Sequence, residues 1–416
     1  MKVYLRTLGC RANQYDAEGI RAMVESGGHQ TVADASAADI AIFNSCAVTS
    51  GAEAELRKLV RAAARSNSRL VSIVTGCAAA LPDEGRPIAA RLRGLPSVEH
   101  VIGGADLTEL AKALGVPHQV SSIASHQSTT RALLRIQDGC DEHCTFCATT
   151  MARGANRSRS IRELVGEAQL LAEHHPEIVL TGIHIGTYGQ DIGTTLAALL
   201  ERLVAETSRV RFRLSSIEAT EVDERLTELV AGSVSRVTPH LHAPLQSGSD
   251  RVLRRMGRHW YTSRSYAHAV ERLAAAARVL GLGADLIAGF PGEEEADHRA
   301  TLSLVRQLPF TYLHVFPFSR RPGTPADRLD DHLPPLTVQA RARELRQLGA
   351  EKAQAHILRR VSQVADVIVV SVDESGRHGL TEDFLDVFVE GPRARGDRFV
   401  ARLESRPPNR LAAPAA

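Results

Sequence analysis

Three cysteines within eight residues, Cys140, Cys144 and Cys147 in DGCDEHCTFCATTMARG, carry the most chemistry per residue of any stretch of this chain. Thiolates are the usual ligands of iron–sulfur clusters, and three of them on a 4Fe-4S cubane leave one iron open to a non-protein ligand. The CxxxCxxC spacing is too loose at one step, and one ligand short, for a zinc knuckle built from paired CxxC units. A structural zinc site or three separate buried thiols are the plainer alternatives. The remaining cysteines are Cys10 (TLGCRANQYD), Cys46 (FNSCAVTSGAE) and Cys77 (VTGCAAA), and each ends a short apolar run where a strand passes into a loop. In an alternating α/β layout such strand ends lie along one sheet edge, where ligands bind. They therefore offer a second cluster site, again with one iron unligated. The even count also allows disulfides, but the chain is long and its opening MKVYLRTLG lacks the apolar centre of a secretory leader.

The 416 residues must supply the elements that aim these thiols. From Met1 to about Ala124, apolar runs of strand length alternate with helix-like stretches such as 16–25 and 52–64, the pattern of βα units on a parallel sheet. SSIASHQSTT then reads as a linker. From about Arg131 to Ala350, strand candidates LLRIQ, EIVLTGIH, VRFRLSSI, VTPHLHAPL, LGADLIAGF and YLHVFPF recur between amphipathic helices. Their number fits a partial or complete (β/α) barrel with its reactive face at the strands' carboxyl ends. TGIHIGTYGQD, SSIEATEVD, LQSGSD and GFPGE each follow one of these strands. From about Ile357 to Ser405, β-branched alternation predicts a small antiparallel barrel resembling an OB-fold, after which RPPNRLAAPAA reads as disordered. Small barrels of this kind bind RNA through basic loops and stacking rings, which makes Arg377, His378, Arg393 and Arg395 candidate phosphate contacts and Phe384 a candidate stacking platform. Arg153, Arg157 and Arg159 are further RNA candidates. Net charge is only +2, which excludes a polycation and requires local patches. No apolar run is long enough to span a bilayer, so the expected protein is soluble and cytosolic, with no membrane partner.

Across nearly its whole length the chain resembles the methylthiotransferase family of radical S-adenosylmethionine (SAM) enzymes. TLGCRANQYDAEGI, NSCAVTSGAEAELRK and TGCAA look like that family's auxiliary-cluster motifs. IQDGCDEHCTFC, LTGIHIGTYGQD, LQSGSDRVLRRMGR, DLIAGFPGE and HVFPFSRRPGTPA look like its barrel motifs, and GLTEDFLDVFVEG is similar to its TRAM signature. The implied fold is an N-terminal parallel-sheet α/β domain, a central radical-SAM (β/α) barrel and a small C-terminal antiparallel β-barrel. TLGCRANQYD, SCAVTSGAE and GIHIGTYG are most similar to the branch acting on N6-threonylcarbamoyladenosine beside the tRNA anticodon. The isopentenyladenosine branch and the branch acting on an aspartate of a ribosomal protein are the alternatives; an iron–sulfur carrier without radical chemistry is the reading from another class. Ser45 departs from the threonine usual before the second cysteine, Ala80 from the glutamine common after the third, and ATTMARG lacks a proline often found there. None removes a thiol.

The resemblance implies two 4Fe-4S clusters, one on Cys140, Cys144 and Cys147 that binds and reductively cleaves SAM, and an auxiliary one on Cys10, Cys46 and Cys77 that holds the sulfur. A 5′-deoxyadenosyl radical would attack C2 of the target adenine, and a second SAM would supply the methyl group. Phe146, Gly182, Ser215 and Glu218 are candidate SAM contacts. The implied partners are the tRNA anticodon loop, a flavodoxin- or ferredoxin-like electron donor and a sulfur source. A division of labour is expected in which the segment beyond about Ile357 provides part of the grip on tRNA, so that its deletion lowers tRNA affinity and leaves uncoupled SAM cleavage largely intact.

Overall fold

The computed structural model describes residues 1–47, 50–81, 88–116, 127–232, 236–321, 323–408 and 410–414. The expected boundary at Ala124 and most of the SSIASHQSTT linker lie outside the described residues. At the N-terminus β1 (Lys2–Thr7), β2 (Gln30–Val32), β3 (Ile40–Ser45), β4 (Val71–Gly76) and β5 (Val98–Val101) form one parallel sheet in the order β2-β1-β3-β4-β5. The central strand reads Ile-Ala-Ile-Phe without a polar break because both of its faces are covered. Alternate side chains face opposite cores. Ile42 and Ile73 pack with Ile20 and Val24 of α1 (Arg11–Ser26) and Leu110 of α4 (Leu107–Leu114), whereas Phe43 and Val74 pack with Leu56 and Val60 of α2 (Ser50–Ser66) and Leu92 of α3 (Ile88–Arg93).

The chain divides into two compact units. The first comprises Met1–Gln127, Gln137–Arg157 and Ser319–Arg328, and holds this sheet and all six cysteines; the second comprises Ser128–Ile136, Ser158–Phe318 and Leu329–Ala416. After β6 (Arg131–Arg135) the chain passes through the cysteine loop, which carries α5 (Thr149–Arg153) and is flanked by the two-residue strands β7 (Gln137–Asp138) and β8 (Arg157–Ser158).

In the second unit β6 is followed by β9 (Glu177–Thr181), β10 (Arg211–Leu214), β11 (His240–His242), β12 (Gly281–Ala288) and β13 (Tyr312–Pro317). Parallel ladders join β6-β9-β10 and β11-β12-β13, and the parallel bridges Phe212–Val237 and Ser216–His242 continue the order between them. These are six strands of an incomplete (β/α) barrel. The intervening helices are α6 (Ile161–Ala172), α7 (Leu196–Glu206), α8 (Glu224–Gly232), α9 (Asp250–Arg255), α10 (Ser263–Ala276) and α11 (Glu295–Gln307), and α12 (Pro335–Arg360) follows β13. Ser160 caps α6 in a reciprocal box with Glu163, as the sequence SIRE dictates. Phe212, Leu214, Leu241, Leu282 and Leu286 are buried on one face of the strands. The alternate face carries Glu177, Arg211, Arg213, His240, His242, Asp285 and Tyr312, which bond to one another.

The C-terminal strands β14 (Val364–Asp373), β15 (Gly376–Leu380), β16 (Asp386–Val389), β17 (Arg398–Arg402), β18 (Glu404–Arg406) and β19 (Arg410–Ala413) curl into one sheet ordered β17-β14-β15-β16-β19-β18. All its pairings are antiparallel except β16 with β19. The expected fold class holds, with a correction at the C-terminus. RPPNRLAAPAA is not disordered throughout: β19 buries Leu411 and Ala413 against Val387 and Val389, so two apolar side chains suffice to pair the tail.

Candidate cluster and cofactor sites

The auxiliary triad sits where strands end. Cys46 follows β3 directly, Cys77 follows β4 directly, and Cys10 occupies the N-cap of α1, its side chain making no capping bond. Cys77 and Cys140 both follow a glycine with positive φ. A Cβ on Gly76 (φ +92°) would stand 2.5 Å from the Ser45 carbonyl oxygen, and one on Gly139 (φ +75°) would stand 1.9 Å from that of Ala155. Only glycine turns the chain this tightly into the sulfur loop. Asn13, fully buried, is the hub of the auxiliary site. Its Nδ2 donates to the carbonyls of Leu8 (2.9 Å) and Ser45 (2.8 Å), and its Oδ1 lies 3.5 Å from Cys77 Sγ. Ser45 and Cys77 are further joined by the Cys77 N–H donating to the Ser45 carbonyl at 3.0 Å.

Burial pushes the Cys77 thiol up to about 11, against the pull of Arg153, and the neighbouring Cys10 and Cys46 sulfurs add to the rise. A desolvated thiol is held neutral, and as a thiolate it needs a cation beside it. In the second triad the backbone N–H of Glu142 reaches Cys140 Sγ (3.4 Å) and that of Thr149 reaches Cys147 Sγ (3.4 Å). Such donors suit cluster thiolates and tune them.

The two triads share their unit with the segment Ser319–Arg328. The Ala326 N–H donates to the Thr145 carbonyl (2.9 Å), inside the cysteine loop. Burial depresses the Arg321 guanidinium, and Cys46 of one triad and Cys147 of the other both oppose this. Phe146 is half-buried in the same loop. Arg153 is not an RNA contact: its side chain is buried and bonded to Asp16, Asn13, Asp138 and Cys77. Arg157 is exposed and donates to the Arg153 carbonyl.

In the second unit each of the four loop motifs follows its strand, but they differ in what they leave unbonded. Gly182, half-buried, begins the loop after β9. Ser215 and Glu218 follow β10, both buried, and Ser215 Oγ and Glu218 Oε2 have no hydrogen-bond partner among the described residues. Arg258 pairs with the other Glu218 oxygen and also donates to Tyr261 Oη (2.9 Å). Burial nevertheless raises the Glu218 pKa, Arg258 opposing it. Buried unbonded oxygens at the carboxyl ends of barrel strands are what a polar cofactor would satisfy. The QSGS and GFPGE loops, by contrast, are closed internally. Gly248 N–H donates to Thr301 Oγ1 (2.9 Å), Ser249 Oγ to Asp297 (2.6 Å), and Gly289 N–H to Glu293 (2.7 Å), which Arg341 pairs at 2.9 Å.

Deeper in the barrel a polar chain escaped the sequence reading. His240 Nε2 and His242 Nδ1 both meet Tyr312 Oη (2.9 and 3.1 Å), and Asp285 Oδ1 meets His242 Nε2 (2.9 Å) and His314 Nδ1 (3.3 Å). Burial would raise the Asp285 carboxyl, but the two imidazoles outweigh it and hold it low. His242, Asp285 and His314 bring one nitrogen or oxygen each to within 4.8 Å of one another, a separation that could hold a metal ion. The HLH doublet, one face of a strand, was the available signal.

The RNA candidates are also rearranged. Phe384 is no exposed platform: it lies in the turn Thr381–Leu385 with φ +72°, stacked on His240 at 4.5 Å and with Arg213 5.2 Å from its ring. Arg395 donates to Thr130 Oγ1 and the Ser128 carbonyl, Arg377 to the Arg393 carbonyl, and Arg393 covers Phe399 at 3.9 Å. Arg159 pairs with Glu167 (2.8 Å). Phe388 also has cations over it, Arg406 at 3.7 Å and Arg410 at 5.4 Å, and His378 lies tilted against its ring at 4.9 Å. The signal available for it was the arginines of a tail set aside as unstructured.

A three-thiol CxxxCxxC loop that follows the first strand of an open (β/α) barrel is the arrangement of a radical-SAM protein. Residues 134–305 match the Radical SAM superfamily and residues 2–92 the family described as Uncharacterized protein family UPF0004. The chain is 32% identical to threonylcarbamoyladenosine tRNA methylthiotransferase MtaB of Aquifex aeolicus (95% of this chain, 98% of that protein). It is 33% identical to the enzyme of the same name from Bacillus subtilis (94% and 90%). Among solved structures, the radical S-adenosylmethionine methyltransferase TsrM of Kitasatospora setae shares the fold, with a TM-score of 0.58 at 14% identity over 78% of this chain and 75% of that one. This chain belongs to the MtaB-type branch of the radical-SAM methylthiotransferase family.

Proposed function

We propose that the protein converts N6-threonylcarbamoyladenosine at position 37 of tRNA to its 2-methylthio derivative, as a soluble cytoplasmic enzyme using SAM and two 4Fe-4S clusters. The observation that carries this reading is the presence of two thiol triads within one unit, Cys10, Cys46, Cys77 and Cys140, Cys144, Cys147, with Arg321 within charge reach of both. Cys140, Cys144 and Cys147 would hold the SAM-binding cluster and Cys10, Cys46 and Cys77 the auxiliary one. When bound, the clusters and SAM supply the reducing electron, the radical, the sulfur and the methyl group.

The chain's own residues hold and exclude. Asn13 fixes the loops that present Cys10 and Cys46. The Glu142 and Thr149 N–H groups orient the sulfurs of Cys140 and Cys147. Ser215 Oγ and the open oxygen of Glu218 are available to polar groups of SAM, while Arg258 neutralises the buried carboxylate. Gly182 and Phe146 are the remaining SAM contacts in this reading. The anticodon loop is single-stranded, so its grip would combine stacking on Phe388 with phosphate contacts from Arg406 and Arg410. A flavodoxin- or ferredoxin-like protein would supply electrons, and a separate source would replace the sulfur.

The test is mass spectrometry of nucleosides from tRNA of a host lacking this enzyme class, with and without the gene. The expected product is 2-methylthio-N6-threonylcarbamoyladenosine. The isopentenyl product alone would move the chain to the other tRNA branch. Neither product, from a cluster-loaded protein, would favour the ribosomal aspartate or a carrier without radical chemistry.

A further inference from the structure

Arg153 ends α5, six residues beyond Cys147, and its side chain is 8% exposed. Its guanidinium uses all three nitrogens within one unit. Nε donates to Cys77 Sγ (3.3 Å). Nη2 donates to Asn13 Oδ1 (2.6 Å) and Asp16 Oδ2 (2.7 Å), and Nη1 to Asp138 Oδ1 and Oδ2 (3.1 and 3.3 Å). These partners come from two places that matter. Asn13 and Asp16 lie in α1, which begins beside Cys10, and Cys77 is itself an auxiliary thiol; Asp138 stands two residues before Cys140. The planar fork is the only side chain able to serve three such directions at once, and it carries its charge at any accessible pH.

We infer that Arg153 is a positioning residue of the auxiliary cluster, locking Cys77 and α1 to the loop of Cys140, Cys144 and Cys147 and raising the reduction potential of the auxiliary cluster through its N–H bond to the Cys77 sulfur. An N–H donor and a positive charge at a ligand sulfur favour the reduced, more negative cluster, so their removal makes reduction harder. The two clusters are thereby spaced by a hydrogen-bonded side chain and not by the backbone alone. This inference rests on the reading of the six cysteines as two cluster sites.

The test is a potentiometric titration followed by electron paramagnetic resonance and iron analysis on the full-length, reconstituted chain. A background with Cys140, Cys144 and Cys147 replaced by alanine isolates the auxiliary cluster. In that background R153Q is expected to lower the reduced-to-oxidised ratio at fixed potential about tenfold, a negative shift of about 59 mV for a one-electron couple; R153K, which keeps charge but not the fork, shifts less. A fully loaded R153Q with an unchanged midpoint overturns the inference. If R153Q does not hold iron, R153K decides: a displaced midpoint supports the role and a wild-type midpoint refutes it. A parent chain that assembles no auxiliary cluster at all would instead refute the cysteine reading beneath it.

Discussion

Glu177 is held between Arg211 (2.7 Å) and Arg213 (2.9 Å), with all three side chains shut off from solvent and Arg131 3.3 Å away. Burial by itself would raise the Glu177 carboxyl; the Arg213 and Arg211 guanidiniums outweigh it and hold the pKa well below 4.5. A depressed carboxyl contributes stability above its unfolded value and loses it as pH falls through the lowered folded value. The Glu177 contribution is therefore complete near neutrality and disappears only in strong acid. Glu218 has the opposite sign: its pKa is raised, so its ionisation costs stability as pH rises through and above the unfolded value. Replacing Glu177 by glutamine leaves two buried guanidiniums short of their counter-charge, a loss of about 3–5 kcal/mol. Melting temperatures of the parent and E177Q across pH should differ most near neutrality and converge in strong acid. A gap independent of pH down to strong acid would show that the carboxylate charge contributes nothing.

At the scale of the element, the turn Thr381–Leu385 closes one end of the barrel interior. Arg211 donates to the carbonyls of Asp366 (2.7 Å) and Leu380 (3.2 Å), and Arg213 to those of Thr381 (3.0 Å) and Glu382 (3.1 Å). His356 and Arg360 of α12 meet Asp383 at 2.8 and 3.0 Å. Truncation beyond Ile357 would remove all four carbonyl acceptors and expose the two buried arginines together with the apolar surface around them. The truncated chain is therefore expected to melt below the parent, and its formation of 5′-deoxyadenosine from SAM to fall with it; parent-like melting and SAM cleavage would bear out the division of labour instead. Truncating the ring alone, F384A, should lower the melting point, by less than the roughly 3–5 kcal/mol lost with a fully buried Phe because the ring is part-exposed. Sequence pattern revealed the strands because burial repeats with period two or runs unbroken, as in Ile40 to Phe43. It revealed the cysteine-bearing turns because Cys10, Cys46 and Cys77 each end a short apolar run. It did not reveal Phe384, whose place is set by rings distant in the chain, or Arg153, which reads as a loop arginine until its four partners are folded around it. Nor did it reveal β2, three residues long at the sheet edge, or β19, because RPPNRLAAPAA is dominated by proline, arginine and alanine.

At the scale of the whole molecule, a formal charge of +2 gives little long-range attraction for a polyanion, so RNA affinity must come from a local patch. No described helix is long and apolar enough to cross a membrane. A candidate patch is Phe388 with Arg406, Arg410 and His378. Each cation neutralising a phosphate of single-stranded RNA steepens the dependence of log K on log salt by about 0.7. R406Q and R410Q combined should therefore flatten that slope by about 1.4, weakening binding uniformly across anticodon loops. F388A should instead weaken binding by about 1–3 kcal/mol, the worth of one stacked base, with the salt slope unchanged. Titration of a labelled anticodon stem-loop at several salt concentrations separates the two terms. If neither slope nor affinity moves while the variants keep the parent's melting temperature, the grip on RNA lies outside the curled C-terminal sheet. The arginines over Phe388 would then be packing its ring against the sheet and not recruiting substrate.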